Sequence, residues 1–183
     1  MLQAEGAGKL AETEPAEVAT AAADEQRHAF LLQVVQPGLA GLMDGSVSTL
    51  APVFASAFAT GHSHTAFLIG IAAAVGAGIS MAFAEGLSDD GQLTGRGNPL
   101  VRGAIIGLMT FAGGIGHALP FLDPNIHTAL YFAYAVVALE LGVIAWIRHR
   151  YFGVRVALSV VQVVFGGVLV FAAGVLIGTR GGG

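Results

Sequence analysis

Five long apolar segments constrain the fold of this chain more than any other feature of its sequence. They lie near residues 37–59, 65–87, 102–121, 126–148 and 155–178. Each can cross the roughly 30 Å hydrocarbon core of a bilayer as an α-helix that rises about 1.5 Å per residue. Only 11% of all residues are charged, which is too few to cover the surface of a soluble domain. The sequence therefore predicts an all-α, polytopic membrane protein with five transmembrane helices.

These segments divide the chain into three parts. Residues 1–29 are polar and rich in helix formers, which predicts a partly helical N-terminal segment in the cytoplasm. Residues 30–179 form the five-helix domain, and residues 180–183 form a tail that is either native or added. The sequence contains no cysteine, which excludes thiolate metal sites and iron–sulfur clusters.

The distribution of basic residues predicts the orientation in the membrane. In a five-span arrangement, seven of the eight basic residues fall on one side: Lys9, Arg27, Arg96, Arg102, Arg148, Arg150 and Arg155. Only Arg180 falls on the other side. Because cytoplasmic loops are enriched in lysine and arginine, we expect a cytoplasmic N-terminus and an external C-terminus.

Polar or sulfur-bearing side chains occur at a similar depth in four of the predicted helices. About 9–12 Å from the cytoplasmic end of their segments lie Asp44, Met81, Glu140 and Gln162. A carboxylate in the hydrocarbon region is costly, so Asp44 is a candidate for function by default. A bound cation or a shared proton would relieve the repulsion between Asp44 and Glu140. Their oxygens, together with the Met81 thioether, would suit Fe(II) better than Mg(II) or Ca(II).

Glu85 follows Met81 by four residues and therefore shares its helix face, closer to the cytoplasmic mouth. The candidate metal-binding residues are thus Asp44, Met81, Glu85 and Glu140. Structural alternatives stay open for several of them. Methionine commonly fills gaps between helices, and Glu140 would also fit a protonated, hydrogen-bonded structural role. Gln162 is expected to make an interhelical hydrogen bond rather than to bind metal.

The first membrane helix carries a polar face. Asp44, Ser48 and Pro52 are spaced at i, i+4 and i+8, and the proline frees a backbone carbonyl near Ser48. Such a face is expected to line a path or a symmetry axis. Gly41 and Gly45 form a GxxxG pair around Asp44, which is compatible with close packing against a neighbouring helix or a second copy.

Histidines and one further aspartate mark the outer side of the predicted bundle. His62 and His64 fall in the first outer loop, and Asp123 and His127 fall in the second. They could collect or release a cation, although isolated loop histidines usually have no such role. For His117, in the outer part of the third helix, we expect a hydrogen bond.

Two stretches carry a resemblance to a known family. GLMDGSVSTLAPVFASAFATG and GAGISMAFAEGLS resemble the first two membrane helices of the vacuolar iron transporter family, which has a (S/M)DG motif in helix 1 and an SMA…E motif in helix 2. GLMTFAGGIGHALPFL and the last helical pair also fit its five-helix plan, over roughly residues 31–178. The resemblance assigns the family's transport aspartate to Asp44 and its transport methionine to Met81.

The resemblance implies a homodimer that exports Fe(II) or Mn(II) from the cytoplasm, in exchange for protons. It implies a transporter rather than an enzyme, without a resident cofactor. The expected partners are the lipid bilayer, a second copy, the metal ion and protons, and no nucleic acid. The chain also resembles the transporter part of bacterial membrane-bound ferritins, so we expect the bacterial cytoplasmic (inner) membrane.

The sequence departs from the family pattern in two places. The long glutamate-bearing hairpin between helices 2 and 3 is replaced by SDDGQLTGRGNPL, so cytoplasmic metal capture must differ. Glu140 is not part of the family pattern. In addition, Glu25 and His28 spell E-x-x-H, but a di-iron centre needs two such motifs and carboxylates from four helices. Residues 1–29 therefore cannot form a ferritin centre within one chain.

Two other functions remain open from the sequence. The five helices could anchor and dimerise a separate iron-storage or ferritin-like domain, in which case the polar layer would be structural. They could also form a passive cation channel.

Overall fold

A computed structural model describes residues 18–88, 90–91 and 95–181. Within these residues it contains five long helices and no strand. Their bounds are Val18–Thr60 (α1), Ser63–Gly86 (α2), Pro99–Ala118 (α3), Ile126–Phe152 (α4) and Val156–Gly181 (α5). All five are long and apolar enough to cross a membrane, which confirms the predicted all-α class and the number of candidate spans.

The helix ends follow from local sequence. α1 and α4 each end at a glycine, Gly61 and Gly153, with a φ of 65° that side-chain-bearing residues rarely adopt. α3 and α4 each begin after an asparagine whose side chain accepts hydrogen bonds from the first turn, Asn98 and Asn125. The helix α3 also has a proline at its first position, Pro99, where the missing N–H costs nothing.

α1 is longer than the predicted first span. Residues 18–30 are helical and exposed, except for half-buried Ala29, and they run into the membrane part without a break. A π-helical turn at Leu31–Val35 separates them from the part that packs in the bundle, Gln36–Thr60. Glu25 and His28 lie on the exposed N-terminal part.

Glycines set the closest helix contacts. A Cβ on Gly41 or Gly45 would collide with a backbone carbonyl of α3, that of Ile106 or Thr110 respectively. The GxxxG pair therefore packs against α3 of the same chain. α5 approaches α1 in the same way, because a Cβ on Gly174 would lie 2.8 Å from the Ala51 carbonyl oxygen.

These contacts also define the direction of the helices. Along α1 and α3, Gly41 lies at Ile106 and Gly45 at Thr110, so the two helices are parallel. α5 is likewise parallel to α1, whereas α2 runs antiparallel to α3. One end of the bundle, which we call the arginine-rich end, thus carries Arg96, Arg102, Arg148, Arg150 and Arg155, and Arg180 lies near the other end. That the arginine-rich end faces the cytoplasm remains a prediction from the charge bias.

An aromatic core fills the half of the bundle away from the arginine-rich end. Phe54 is fully buried and stacks on Tyr134 at 5.5 Å between ring centroids. Phe171 meets Phe54 edge-on at 4.9 Å, and Phe121 meets it edge-on at 6.3 Å. Residues of α1, α4 and α5 and the turn after α3 therefore close the interior of a single chain at this level.

Candidate functional site

Asp44 lies on a polar strip of α1 that other parts of the chain leave uncovered. The strip consists of Gln36, Ala40, Asp44 and Ser48, of which Asp44 is half-buried and the other three are exposed. Asp44 makes no hydrogen bond or ion pair with any residue in the described part of the chain. An uncompensated carboxylate on a membrane helix is unfavourable. The strip therefore needs a cation, water or a second protein surface.

The polar strip ends where α5 begins to cover α1. Gly174 packs on Ala51, and Gly178 packs on Ala55, so the half of α1 away from the arginine-rich end has no corresponding open face. On this face of α1, polar side chains therefore point outward only between Gln36 and Ser48.

Met81 lies on α2 at a neighbouring level. The helix α3 serves as a common reference for the two levels. Its Gly103 and Gly107 pack against Ala82 of α2, which is next to Met81 in the chain. Its Ile106 packs against Gly41 of α1. Counting along α3, Met81 is about one turn, or roughly 5 Å, closer to the arginine-rich end than Asp44. Its side chain is half-buried, so part of the thioether side chain remains available.

Glu85 is engaged by two arginines. Its Oε1 lies 2.8 Å from Arg96 Nη2 and 2.7 Å from Arg102 Nε. Arg102 is fully buried and also donates from Nη1 to the Gly97 carbonyl at 3.1 Å. A metal ion at Glu85 would have to compete with both guanidinium groups. The metal-binding role of Glu85 stays a prediction, and in this arrangement its carboxylate serves as the counter-ion of a buried arginine.

Glu140 points to a different part of the bundle from Asp44. Its Oε1 lies at Gly113 of α3, where a Cβ would be 2.9 Å away, and the same Cβ would lie 2.7 Å from the Leu42 carbonyl oxygen. On an α-helix, Leu42 and Asp44 point about 200° apart. The two carboxylates therefore approach α1 from opposite sides, and the structure does not bring them into one site. Sequence position was used to place the two carboxylates at a similar depth, but depth alone does not give the direction of a side chain.

His117 is a functional candidate that the sequence argument undervalued. Its ring is 1% exposed, and its Nε2 lies 2.8 Å from Glu140 Oε2. The other ring nitrogen, Nδ1, lies 3.1 Å from Thr49 Oγ1. The predicted hydrogen bond of His117 is confirmed by the contact with Thr49, whereas nothing in the spacing of His117 and Glu140 indicated that the two would meet.

Gln162 makes the interhelical hydrogen bond that was predicted for it, because its Oε1 accepts from Arg148 Nη2 of α4 at 2.8 Å. It also lines a cavity of about 90 Å³ between α1, α4 and α5. The walls of this cavity are otherwise almost entirely apolar, and the Ser46 hydroxyl that borders it donates to the Leu42 carbonyl. The cavity therefore offers poor ligands for a cation.

The histidines and Asp123 at the end opposite the arginine-rich end have local structural roles. Asp123 accepts from the Asn125 N–H at 2.8 Å, and His62 contacts the Thr60 carbonyl. His127 and His64 are exposed. These contacts shape the two outer turns and do not gather ligands around a common point.

No group of three or more acidic or histidine side chains that could hold a metal occurs within residues 18–88, 90–91 and 95–181 of one chain. Comparison with protein-family models, with curated proteins and with solved structures finds no match. The placement of these residues and the sequence motifs are therefore what indicates a function.

Proposed function

We propose that this chain is a transporter that exports Fe(II), with Mn(II) as the alternative ion, from the cytoplasm in exchange for protons, and that it works as a homodimer. The observation that carries the proposal is Asp44, a half-buried carboxylate without a partner on the polar strip of a helix long and apolar enough to span a membrane. Placement in such a helix makes function the default explanation for an ionisable side chain.

A second copy of the chain would supply a protein surface that faces the polar strip, together with a second Asp44 carboxylate. Most symmetric dimers use the same surface patch on both subunits. If the polar strips of two copies face each other, two Asp44 carboxylates meet near the axis, and Met81 lies on α2 about one turn closer to the arginine-rich end. Two like charges disfavour ionisation of each other unless a cation neutralises them. Carboxylate oxygens combined with a thioether favour a borderline ion such as Fe(II) over Mg(II) or Ca(II).

The interior of a single chain offers a cation no better route than the polar strip. The aromatic core around Phe54 fills the outer half, and the cavity between α1, α4 and α5 has apolar walls. A cation moving through either region would lose its hydration without gaining ligands. The polar strip is the better candidate, since it combines carboxylate, hydroxyl and amide groups along one helix face.

The proposal is tested by Fe(II) uptake into proteoliposomes that contain a fluorescent chelator, with and without a pH gradient. We expect gradient-dependent uptake by the native chain and none by Asp44→Ala. Glu25→Gln is the matched control, because Glu25 is exposed on the part of α1 that precedes the π-helical turn, and it should transport normally.

The same assay separates the two alternatives. Uptake that requires Asp44 but ignores the pH gradient indicates a passive cation channel. Absence of uptake in all three proteins, with the dimer intact, favours a membrane anchor and dimerisation module for an iron-storage domain.

A further inference from the structure

The cavity between α1, α4 and α5 has apolar walls and lies outside the proposed path of the ion. Its volume is about 90 Å³, and it opens sideways from the bundle, because Val47 and Gln162 at its rim are exposed. Farther from the arginine-rich end, Gly174 and Gly178 bring α5 directly onto α1. The cavity is therefore a wedge that narrows away from the arginine-rich end.

The size of this wedge admits an acyl chain rather than a helix. An α-helix with its side chains is about 10 Å across, which is too wide for a space of this volume. Gly166 lines the cavity, and nothing lies within 4 Å of a Cβ at that position. In the hydrocarbon region, lipid chains are the solvent that fills such a space, since a void forfeits dispersion contacts on its walls.

An acyl chain gains contacts in the cavity but little hydrophobic free energy, because the surroundings that it leaves are equally apolar. Any selectivity among lipids must therefore come from the headgroup. The polar groups that could recognise a headgroup lie at the wide end of the wedge, which is also the arginine-rich end.

Two arginines lie at this wide end. Arg148 follows Ile144 of the cavity wall by one turn, and its Nη2 donates to Gln162 Oε1 at 2.8 Å. This hydrogen bond holds the guanidinium at the rim and uses one of its five N–H groups. Arg155 directly precedes α5, and its carbonyl accepts from the Ser159 N–H at 2.9 Å. It is therefore in helical register with Gln162, two turns away on the same side of α5.

No carboxylate neutralises these arginines. The sequence contains no acidic residue after Glu140, and neither Arg148 nor Arg155 forms an ion pair with any residue that the structure describes. Trp146 and Tyr151 are exposed near the same end of α4, as is typical of the level where lipid headgroups begin. Arginines at this level attract anionic lipids.

We propose that the cavity binds one phospholipid with a negatively charged headgroup. One acyl chain lies between α1, α4 and α5, and the headgroup phosphate accepts hydrogen bonds from Arg148 and Arg155. The lipid borders the polar strip, because Val47 of the cavity rim is next to Ser48 in the chain. This inference goes beyond the proposed function and does not depend on it.

The lipid class is tested by native mass spectrometry of the purified, delipidated chain in a neutral detergent. Phosphatidylglycerol and phosphatidylcholine with the same acyl chains are titrated separately, and the Kd of the first bound lipid is measured. We expect one phosphatidylglycerol per chain, with a Kd at least about fivefold lower than that of phosphatidylcholine, the factor expected for one arginine near the membrane surface. Equal Kd values would overturn the proposal. Displacement of the lipid by inorganic phosphate at the same concentration would show a site for a free anion and would also overturn it.

Gly166→Leu tests the location of the acyl chain. The leucine side chain would occupy the cavity, and its Cβ meets no neighbour, so the fold should be retained. Gly142→Leu is the matched control, because Gly142 is an exposed position of α4 where a Cβ also has nothing within 4 Å. We expect Gly166→Leu to lose the saturable binding of the first phosphatidylglycerol, while Gly142→Leu binds as the native chain. Unchanged binding by Gly166→Leu would overturn the proposal.

The headgroup contacts are tested by single substitutions that leave the cavity intact. Arg148→Gln and Arg155→Gln should each weaken phosphatidylglycerol binding by about fivefold and leave phosphatidylcholine binding unchanged. Arg150→Gln is the control for loss of charge alone, because Arg150 lies on nearly the opposite side of α4 from Arg148, with its guanidinium carbon 5.6 Å from the centre of the Tyr151 ring. Equal weakening by all three substitutions would indicate diffuse attraction and would overturn the assigned site.

The same variants distinguish a lipid from a second copy of the chain. Loss of the dimer in Gly166→Leu, with phosphatidylglycerol binding retained, would show that the cavity belongs to a protein interface and would overturn the proposal. None of these measurements requires transport. A chain that binds the lipid but takes up no Fe(II) would refute the proposed function alone, and a transporting chain without lipid selectivity would refute the lipid site alone.

Discussion

Replacing Gly45 with alanine tests the packing that orients Asp44. The new methyl group would collide with the Thr110 carbonyl oxygen and lie 2.9 Å from the Gly114 nitrogen. Backbone atoms cannot move aside as a flexible side chain can, so α1 and α3 must separate. Overpacking of this kind typically costs about 1–3 kcal/mol, and we expect the upper part of that range because the obstacle is backbone.

Gly142→Ala is the matched control, since nothing lies within 4 Å of a Cβ at that position on α4. Both variants gain the helix propensity of alanine over glycine, about 1 kcal/mol. The difference between them therefore isolates the steric term. Reversible unfolding in a detergent titration should show Gly45→Ala less stable than Gly142→Ala by about 2–3 kcal/mol. Equal stabilities would refute the close α1–α3 contact and the direction it gives to Asp44.

Three further outcomes follow from individual contacts. Glu85→Gln removes a carboxylate that pairs with buried Arg102 and with Arg96 and should destabilise the protein by about 1.5–3 kcal/mol; an unchanged thermal unfolding midpoint would contradict these ion pairs. Asn98→Ala removes the side chain that accepts from the first turn of α3 and should cost about 1 kcal/mol in the same unfolding assay, so a loss near zero would argue against the cap. Because the native chain has no cysteine, Ser48→Cys should form a disulfide-linked dimer in membranes under mild oxidation if the polar strips face each other. Leu139→Cys, on the exposed face of α4, should remain monomeric on a non-reducing gel, and equal crosslinking of both variants would contradict the proposed dimer surface.

Much of the fold could be predicted from the sequence because a membrane imposes one strong rule. Backbone groups in hydrocarbon must be hydrogen-bonded within helices, so apolar length gives the number of spans. Most helix ends lie within about four residues of the predicted bounds, although α3 begins earlier, at Pro99, and α4 ends later, at Phe152. The capping residues Asn98 and Gly153 account for both differences. The continuation of α1 back to Val18 was less evident, because polar residues carry no comparable hydrophobic signal.

The candidate site was predicted only in part, for a geometric reason. Sequence position gives the depth of a side chain in the membrane but not the neighbour that it faces. Glu140 lies near the level of Asp44 and yet contacts His117 on the opposite side of α1. Similarly, Glu85 shares a helix with Met81, but the loop after α2 brings Arg96 to its carboxylate. Such contacts depend on helix rotation and loop path, which follow from tertiary packing.

The most direct test of the account is the Fe(II) uptake of Asp44→Asn in proteoliposomes with a pH gradient. This substitution keeps the size of the side chain and removes its charge, so helix packing and the dimer should be preserved. We predict that uptake falls to the level of protein-free liposomes, while a folded dimer is still recovered. Normal uptake by Asp44→Asn would contradict the claim that the carboxylate on the polar strip binds the transported ion.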